Sequence, residues 1–308
     1  MYINIITMIT IKYIKNIIIL IIILLSLISL LIYYFFFTPL ELFKDEYILP
    51  RIIWIFWDTE ELPKNISLIF NNNKNKLYNW DIKLLNNNNL KDYLDITIFP
   101  KKYNDFSAQH KADLIRLKLL KQYGGVWIDA GIIINNTDEL ENIFKQSIDD
   151  KNELTAFTLI EKDNSYKYHQ YIENWFLIAP KNSKIISLWL EEFEKAFEMG
   201  FDEYGKYITD IIKINICDNI TQYGSYLTQH KALQVVLQNK INYESNNYEP
   251  KILLLKSEDS MFKLQTECNW DIECIKSKFE NNIDIKKIPY IKLVGSTRQN
   301  LNLDTYFT

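Results

Sequence analysis

From Ile17 to Phe37 the sequence is apolar apart from Ser26, Ser29, Tyr33 and Tyr34. An α-helix rises 1.5 Å per residue, so roughly 20 such residues cross the hydrocarbon core of a bilayer. A core helix of a soluble protein is the alternative, but this segment has no polar face. Tyr33 and Tyr34 stand near its end, where an aromatic belt meets water. A cleaved signal sequence has a shorter apolar core and small residues at the cleavage site; this run ends in Phe35, Phe36 and Phe37. Lys12 and Lys15 precede it, and Glu41, Lys44, Asp45 and Glu46 follow. The positive-inside rule then puts the N-terminus in the cytoplasm and the rest outside it or in a lumen. The chain divides accordingly into a short cytoplasmic tail (1–16), a transmembrane signal anchor (17–37), a charged stem (38–49) and one domain (50–308).

That domain lies within a chain of 308 residues, 14% of them aromatic, enough to bury a sizeable core and unlike a disordered chain. The net charge of −4 gives no footprint for nucleic acid. Asn clusters (Asn71 to Asn73, Asn86 to Asn89) follow an AT-rich codon bias before they signal loops. In so Asn-rich a chain the sequons at Asn65, Asn135 and Asn219 carry little weight, although they suit a lumenal domain. Of three cysteines, Cys268 and Cys274 are close enough to join in an oxidising compartment or to remain free thiols; no Cys/His spacing resembles a zinc site.

After Pro50, "RIIWIFW" reads as a strand buried on both faces. A helix opening at Pro63 and reaching Phe70 follows, then strands "WDIKLLN" and "DITIFP". A helix from about Ser107 to Tyr123 is capped by Gly124 and Gly125, and "VWIDAGIII" reads as a strand. Further on, "ELTAFTLI" and "ENWFLIAP" are strands flanking a polar loop, Glu161 to Gln170. "SKIISLWLEEFEKAFEMG" and "SYLTQHKALQVVLQN" are helices, and "PYIKLVGSTRQ" is a strand running into a turn. Alternating strands and helices predict an α/β layer with a mostly parallel sheet and flanking helices. Ligands in such sheets bind beyond the carboxyl ends of the strands.

Within the Ser107–Tyr123 helix, Ala108, Ala112, Ile115 and Leu119 share an apolar face. Lys111, Lys118 and Gln122 lie opposite, as a solvated face. Gln109, Asp113 and Arg116 form a separate polar stripe. An Asp and an Arg three apart are often only a surface ion pair. Asp129 changes that balance, because burying an unpaired carboxylate is costly. It must end its strand, find a partner or belong to a site. No P-loop, GxGxxG or Ser-His-Asp order is present.

"LPRIIWIFWDTEELP" and "HKADLIRLKLLKQYGGVWIDAGI" together resemble the capsular polysaccharide synthesis proteins, related to the DXD-containing, sugar-binding glycosyltransferases of GT-A fold. The resemblance runs from Pro50 to about Arg298. It implies a GT-A-like domain that transfers a sugar from a nucleotide-sugar donor, a UDP-sugar above all, to a glycan acceptor, with retention by analogy. It implies that Trp57 stacks on the nucleotide base with Phe56 beside it. Gln109, Asp113 and Arg116 would hold donor hydroxyls, and Asp129 would be the first Asp of the DXD. Gly131 departs from the pattern: it stands where the second Asp reaches an Mn2+ or Mg2+ ion, and glycine offers no ligand. The charge developing on the diphosphate still needs an answer. Lys292, Ser296, Thr297 and Arg298 are the candidates, with Arg298 and Lys292 as the cations. In the "QYIENWFLIAP" block, Glu173 and Asn174 are candidates to meet the acceptor or steady the transition state. His230 is a candidate proton carrier or a structural histidine.

Two other readings compete. A non-catalytic relative would bind nucleotide-sugar or glycan within a synthesis complex, and Gly131 feeds that view. A glycoside hydrolase would need two carboxylates across a cleft, and Asp129 has no evident partner for that role.

Overall fold

The computed structural model describes residues 2–37, 46–159, 171–209, 211–212, 224–241, 248–281 and 284–307. The loop expected at Glu161–Gln170, Asn219, Cys217 and positions 38–45 of the stem lie outside the described residues. The chain forms two compact units, Met1–Glu46 and Tyr47–Thr308.

The first unit is one helix, α1 (Tyr2–Phe37), so the expected tail continues the helix instead of preceding it. Its window Tyr13–Leu30 is long and apolar enough to cross a membrane, a test that a signal sequence also meets, and none of that window is buried.

The second unit runs β1 (Ile52–Phe56), α2 (Lys64–Lys76), β2 (Asp81–Leu85), α3 (Ala108–Tyr123), β3 (Gly125–Ile128), β4 (Ile132–Ile134) and α4 (Thr137–Asp149). It continues with β5 (Leu154–Leu159), β6 (Tyr171–Ala179), α5 (Lys184–Met199), α6 (Phe201–Thr209) and α7 (Thr228–Val235). The last part holds β7 (Ile252–Lys256), α8 (Lys263–Glu267), α9 (Ile272–Glu280), β8 (Tyr290–Lys292), α10 (Gly295–Asn300) and α11 (Asp304–Phe307). Six strands make a sheet in the order β2-β1-β3-β6-β5-β7. Only β6 opposes its neighbours; the other pairings are parallel. The α/β reading with a mostly parallel sheet therefore holds.

β1 and β3 are buried on both faces, as their continuous apolarity requires. Side chains alternate across a strand, so Trp54, Phe56 and Trp127 join one core. Ile53, Ile55, Val126 and Ile128 join the core on the other face. Helix α3 starts at Ser107, whose hydroxyl accepts the His110 amide at 3.3 Å. It stops at Gly124, whose φ of 73° favours glycine. A Cβ there would meet the Lys181 nitrogen at 2.4 Å, and one on Gly125 would meet the Ile52 carbonyl at 2.7 Å. The double glycine thus brings α3 and β3 against neighbouring backbone.

Five expectations are corrected. "DITIFP" is a 3-10 turn over Ile96–Ile98, because the Asp95 carboxylate accepts the Thr97 amide at 2.9 Å and closes a local turn. "VWIDAGIII" is two strands: β3 ends at Ile128, and β4 pairs antiparallel with β8 in a separate sheet. The turn between them is closed by Ile132 N to Asp129 O at 3.1 Å. The end of the stem belongs to the second unit, since the Tyr47 hydroxyl donates to the Ser147 and Asn152 carbonyls at 2.7 and 2.9 Å. The turn after "PYIKLV" is helix α10. Lys118 also leaves its expected solvated face: α5 covers it, and its ammonium binds Glu194 at 2.5 Å. Cys268 and Cys274 are joined by a disulfide.

Gly200 supplies a control for the double glycine. Its φ is 90° but nothing lies within 4 Å of its would-be Cβ. Gly200→Ala should cost only backbone strain, about 1 kcal/mol. Gly124→Ala adds a backbone collision and should cost more than about 3 kcal/mol. Denaturant unfolding of the full chain in detergent, comparing both variants with wild type, measures the difference.

Candidate active site

A cleft of about 430 Å³ opens beyond the carboxyl ends of β1 and β3. β1 delivers Phe56, Trp57 and Asp58 to it, α3 delivers Gln109, Asp113 and Arg116, and the turn after β3 delivers Asp129 and Gly131. Asn174 comes from β6, His230 from α7, Lys292 from β8 and Arg298 from α10. Ala108 and Ala112, expected on the apolar face of α3, line this cleft too and leave room in front of the polar stripe.

Asp129 sits at the centre. Its Oδ1 accepts Trp127 Nε1 at 3.0 Å and Arg116 Nη2 at 3.2 Å, and its Oδ2 accepts Lys292 Nζ at 2.6 Å. Burial alone would raise the Asp129 carboxyl, but Lys292 and then Arg116 outweigh it, and the net shift is downward. Asp129 is therefore an anion at neutral pH.

Behind it lies a buried polar cluster. Arg116 Nη1 donates to Asp113 Oδ1 and, at 2.7 Å, to Gln229 Oε1. Asn174 Nδ2 reaches Asp113 at 3.1 Å and Gln229 at 2.7 Å. Gln229 Nε2 closes the ring on the Asp113 carbonyl at 2.6 Å. The Arg116 guanidinium also lies 5.0 Å from the Trp127 ring, which suits a cation over an aromatic face. Burial pushes the Asp113 carboxyl up, with Arg116 opposing. Apart from Arg116 Nε the cluster is satisfied, and such networks are rigid and present fixed donors and acceptors.

Three expected residues stand apart. Glu173 does not line the cleft; it is buried beneath His230, with Oε2 3.7 Å from Nε2. Ser296 is exposed on α10 and does not line the cleft either, and Thr297 is buried. The Trp57 ring is shared with Arg298, whose guanidinium lies 5.4 Å from its centroid. Gln229, Tyr226 and the indole of Trp127 are participants that the sequence reading missed. Tyr226 and Gln229 shortly precede His230, and Trp127 follows the double glycine; those positions are the only signal. His230 stacks on Tyr171 at 5.0 Å, and neither of its ring nitrogens has a hydrogen-bond partner.

A family model described as "Capsular polysaccharide synthesis protein" matches residues 29–283. The chain belongs to that family. Among family-like sequences, an O-glycosyltransferase, braB, of Annulohypoxylon truncatum is 24% identical over 255 residues, covering 71% of this chain and 59% of that protein. The glycosyltransferase afumC of Aspergillus fumigatus is 32% identical over 94 residues, 30% of this chain and 22% of that one. The chain thus spans less than two thirds of the length of these relatives. A solved glycosyltransferase involved in glycosylation of the major capsid of PBCV-1 aligns over 84% of this chain and 98% of its own, with 10% identity. Its TM-score against this chain is 0.39.

Removing Arg116 takes away the largest of the charges that oppose burial of Asp113. Arg116→Met should lose about 3–5 kcal/mol of stability at pH 7. A carboxyl whose folded pKa is raised contributes stability below its unfolded pKa and loses it as pH rises. The deficit should therefore shrink toward pH 4 as Asp113 takes up a proton. Paired unfolding curves of variant and wild type at the two pH values check the sign.

Proposed function

We propose that this family member is a membrane-anchored glycosyltransferase, moving a sugar from a nucleotide-sugar donor to a glycan acceptor. One observation carries the reading: the rigid Asp113–Arg116–Asn174–Gln229 cluster stands directly behind Asp129 in the cleft. Carboxylate, guanidinium and amide groups held in place suit the vicinal hydroxyls of a sugar. The names of the relatives support the same reaction class.

In this reading the bond from the anomeric carbon to the diphosphate oxygen breaks, and its electron pair leaves with the nucleoside diphosphate. An acceptor hydroxyl oxygen bonds to that carbon and releases its proton. Asp129 is held as an ion by Lys292 and Arg116, so it is not a free general base. That favours uptake of the proton by the departing diphosphate, on the same face, and hence retention. As an ion Asp129 is also unsuited to be the protonated acid of a glycoside hydrolase. We further propose that α1 anchors the chain with its N-terminus in the cytoplasm and the cleft in an extracytoplasmic, oxidising space. The flanking charges and the Cys268–Cys274 bond support this.

Incubating the full chain in detergent with a panel of nucleotide sugars should release nucleoside diphosphate from one donor. Asp113→Asn should lower that rate by about 10²-fold. Binding of the donor without turnover would favour a non-catalytic relative. Sugar release from a glycan without any nucleotide would favour the hydrolase. Separately, the full chain should float with lipid vesicles after an alkaline carbonate wash, and a chain starting at Tyr47 should not; recovery of the full chain in the wash would remove the anchor.

A further inference from the structure

Resting on that reading, we propose that the donor diphosphate is held by Lys292 and Arg298 in place of a divalent cation, with Gly131 and Arg298 as a matched pair. The resemblance to DXD enzymes implies a metal, and the residues here do not fit one. A hard cation takes about six oxygen ligands. Both Asp129 oxygens are already engaged, Oδ2 by the Lys292 ammonium and Oδ1 by Arg116 and Trp127. Among the described residues no group of three or more His, Cys, Asp or Glu is placed to hold a metal. The second DXD position is closed as well as empty of a ligand. A Cβ on Gly131 would lie 2.8 Å from Arg298 Nη1 and 2.8 Å from the Leu293 carbonyl. An Asp at that position therefore collides with the Leu293 backbone carbonyl as well as with Arg298.

The fold brings both cations to this point deliberately in the structural sense: each has its own tether. Ile132 of β4 pairs with Lys292 of β8, and Leu293 N donates to the Gly131 carbonyl at 2.9 Å. That register aims the Lys292 ammonium at Asp129. On α10, the Asn65 amide donates to the Arg298 and Leu301 carbonyls at 2.7 and 2.8 Å. Arg298 then spans from Gly131 to the Trp57 ring. Lys292 has Asp129, and Arg116 has Asp113 and Asp129. Arg298 is the cation of this cleft without a carboxylate ion pair among the described residues. When the anomeric bond breaks, the electron pair goes to the diphosphate, and fixed cations beside it lower that charge without a metal. Arg in particular can take two phosphate oxygens at once.

The test titrates full-length protein in detergent with inorganic pyrophosphate and with UDP by calorimetry, in EDTA and in Mn2+, and measures binding of Mn2+ alone by electron paramagnetic resonance. We expect both anions to bind equally well in EDTA and in Mn2+, and Mn2+ alone not to bind. Arg298→Gln and Lys292→Gln should each weaken pyrophosphate about 10–100-fold. Gly131→Ala should weaken it in wild type and by less in an Arg298→Gln background, where the collision with the guanidinium is gone and only that with the Leu293 carbonyl remains, the coupling expected of a contacting pair. Pyrophosphate or UDP binding that requires Mn2+ overturns this inference and leaves the donor reading standing. No binding of either anion under either condition overturns both. The wild-type metal comparison decides the matter even if a variant does not fold.

Discussion

The ionised Asp129 carboxylate is the constraint around which the second unit is arranged. A charge at the end of a buried strand is tolerated only with partners. Those partners come from three directions: Arg116 from α3, the Trp127 indole from β3 and Lys292 from β8. The chain meets the requirement by leaving the main sheet at Asp129 and starting a second sheet at Ile132. The second sheet then brings the C-terminal segment back to the cleft. Without Lys292 opposite Ile132, Asp129 would have one cation shared with Asp113.

Two tryptophans hold the approach to this point. Trp54 and Trp127 are register partners on β1 and β3. The Trp54 indole donates to the Gly124 carbonyl at 2.9 Å, at the end of α3. The Trp127 indole donates to Asp129, at the end of β3. Each buried indole satisfies its own N–H while fixing one end of the helix–strand unit. The polar stripe on α3 and the carboxylate after β3 are thereby placed with respect to each other by a rigid sheet, not by a loop.

What could be read from the sequence follows from how local each signal is. The helix start near Ser107, the double glycine, the Gln109–Asp113–Arg116 stripe and the anomaly of Asp129 all lie within 25 residues of one another or less, and helical spacing makes their convergence calculable. β1, β2, β5, β6 and α5 announced themselves by apolar runs or by periodicity. Gln229 is far from Asp113 along the chain, and a neutral amide in "LTQHKAL" has no pattern to mark it. The break in "VWIDAGIII" was hidden because β4 is as apolar as β3; only Asp129 hinted at it. "DITIFP" has strand composition, but the Asp95 side chain competes for the backbone and wins. Glu173 was legible as a polar residue entering its strand, but its direction was not, and it meets His230 instead of the cleft.

The asparagines deserve a different reading from the codon bias that first explains them. Asn73 of α2 donates to the Ile132 carbonyl at 2.7 Å and accepts the Ile134 amide at 3.0 Å, so its side chain acts as a neighbouring strand along the edge of β4. Asn135 donates to the Ile285 and Ile288 carbonyls at 3.2 and 2.9 Å and accepts the Tyr306 hydroxyl at 2.8 Å. Asn65 holds the end of α10. A primary amide has both donors and an acceptor, so it can satisfy irregular backbone that no strand pairs. In each case that backbone belongs to the second sheet or to the segments around β8 and α10. The sequons at Asn65 and Asn135 are therefore tethers, with their amide nitrogens already committed to backbone carbonyls. Bias supplied the residue type, and the fold uses it where Lys292 and Arg298 must be held against Asp129 and Gly131.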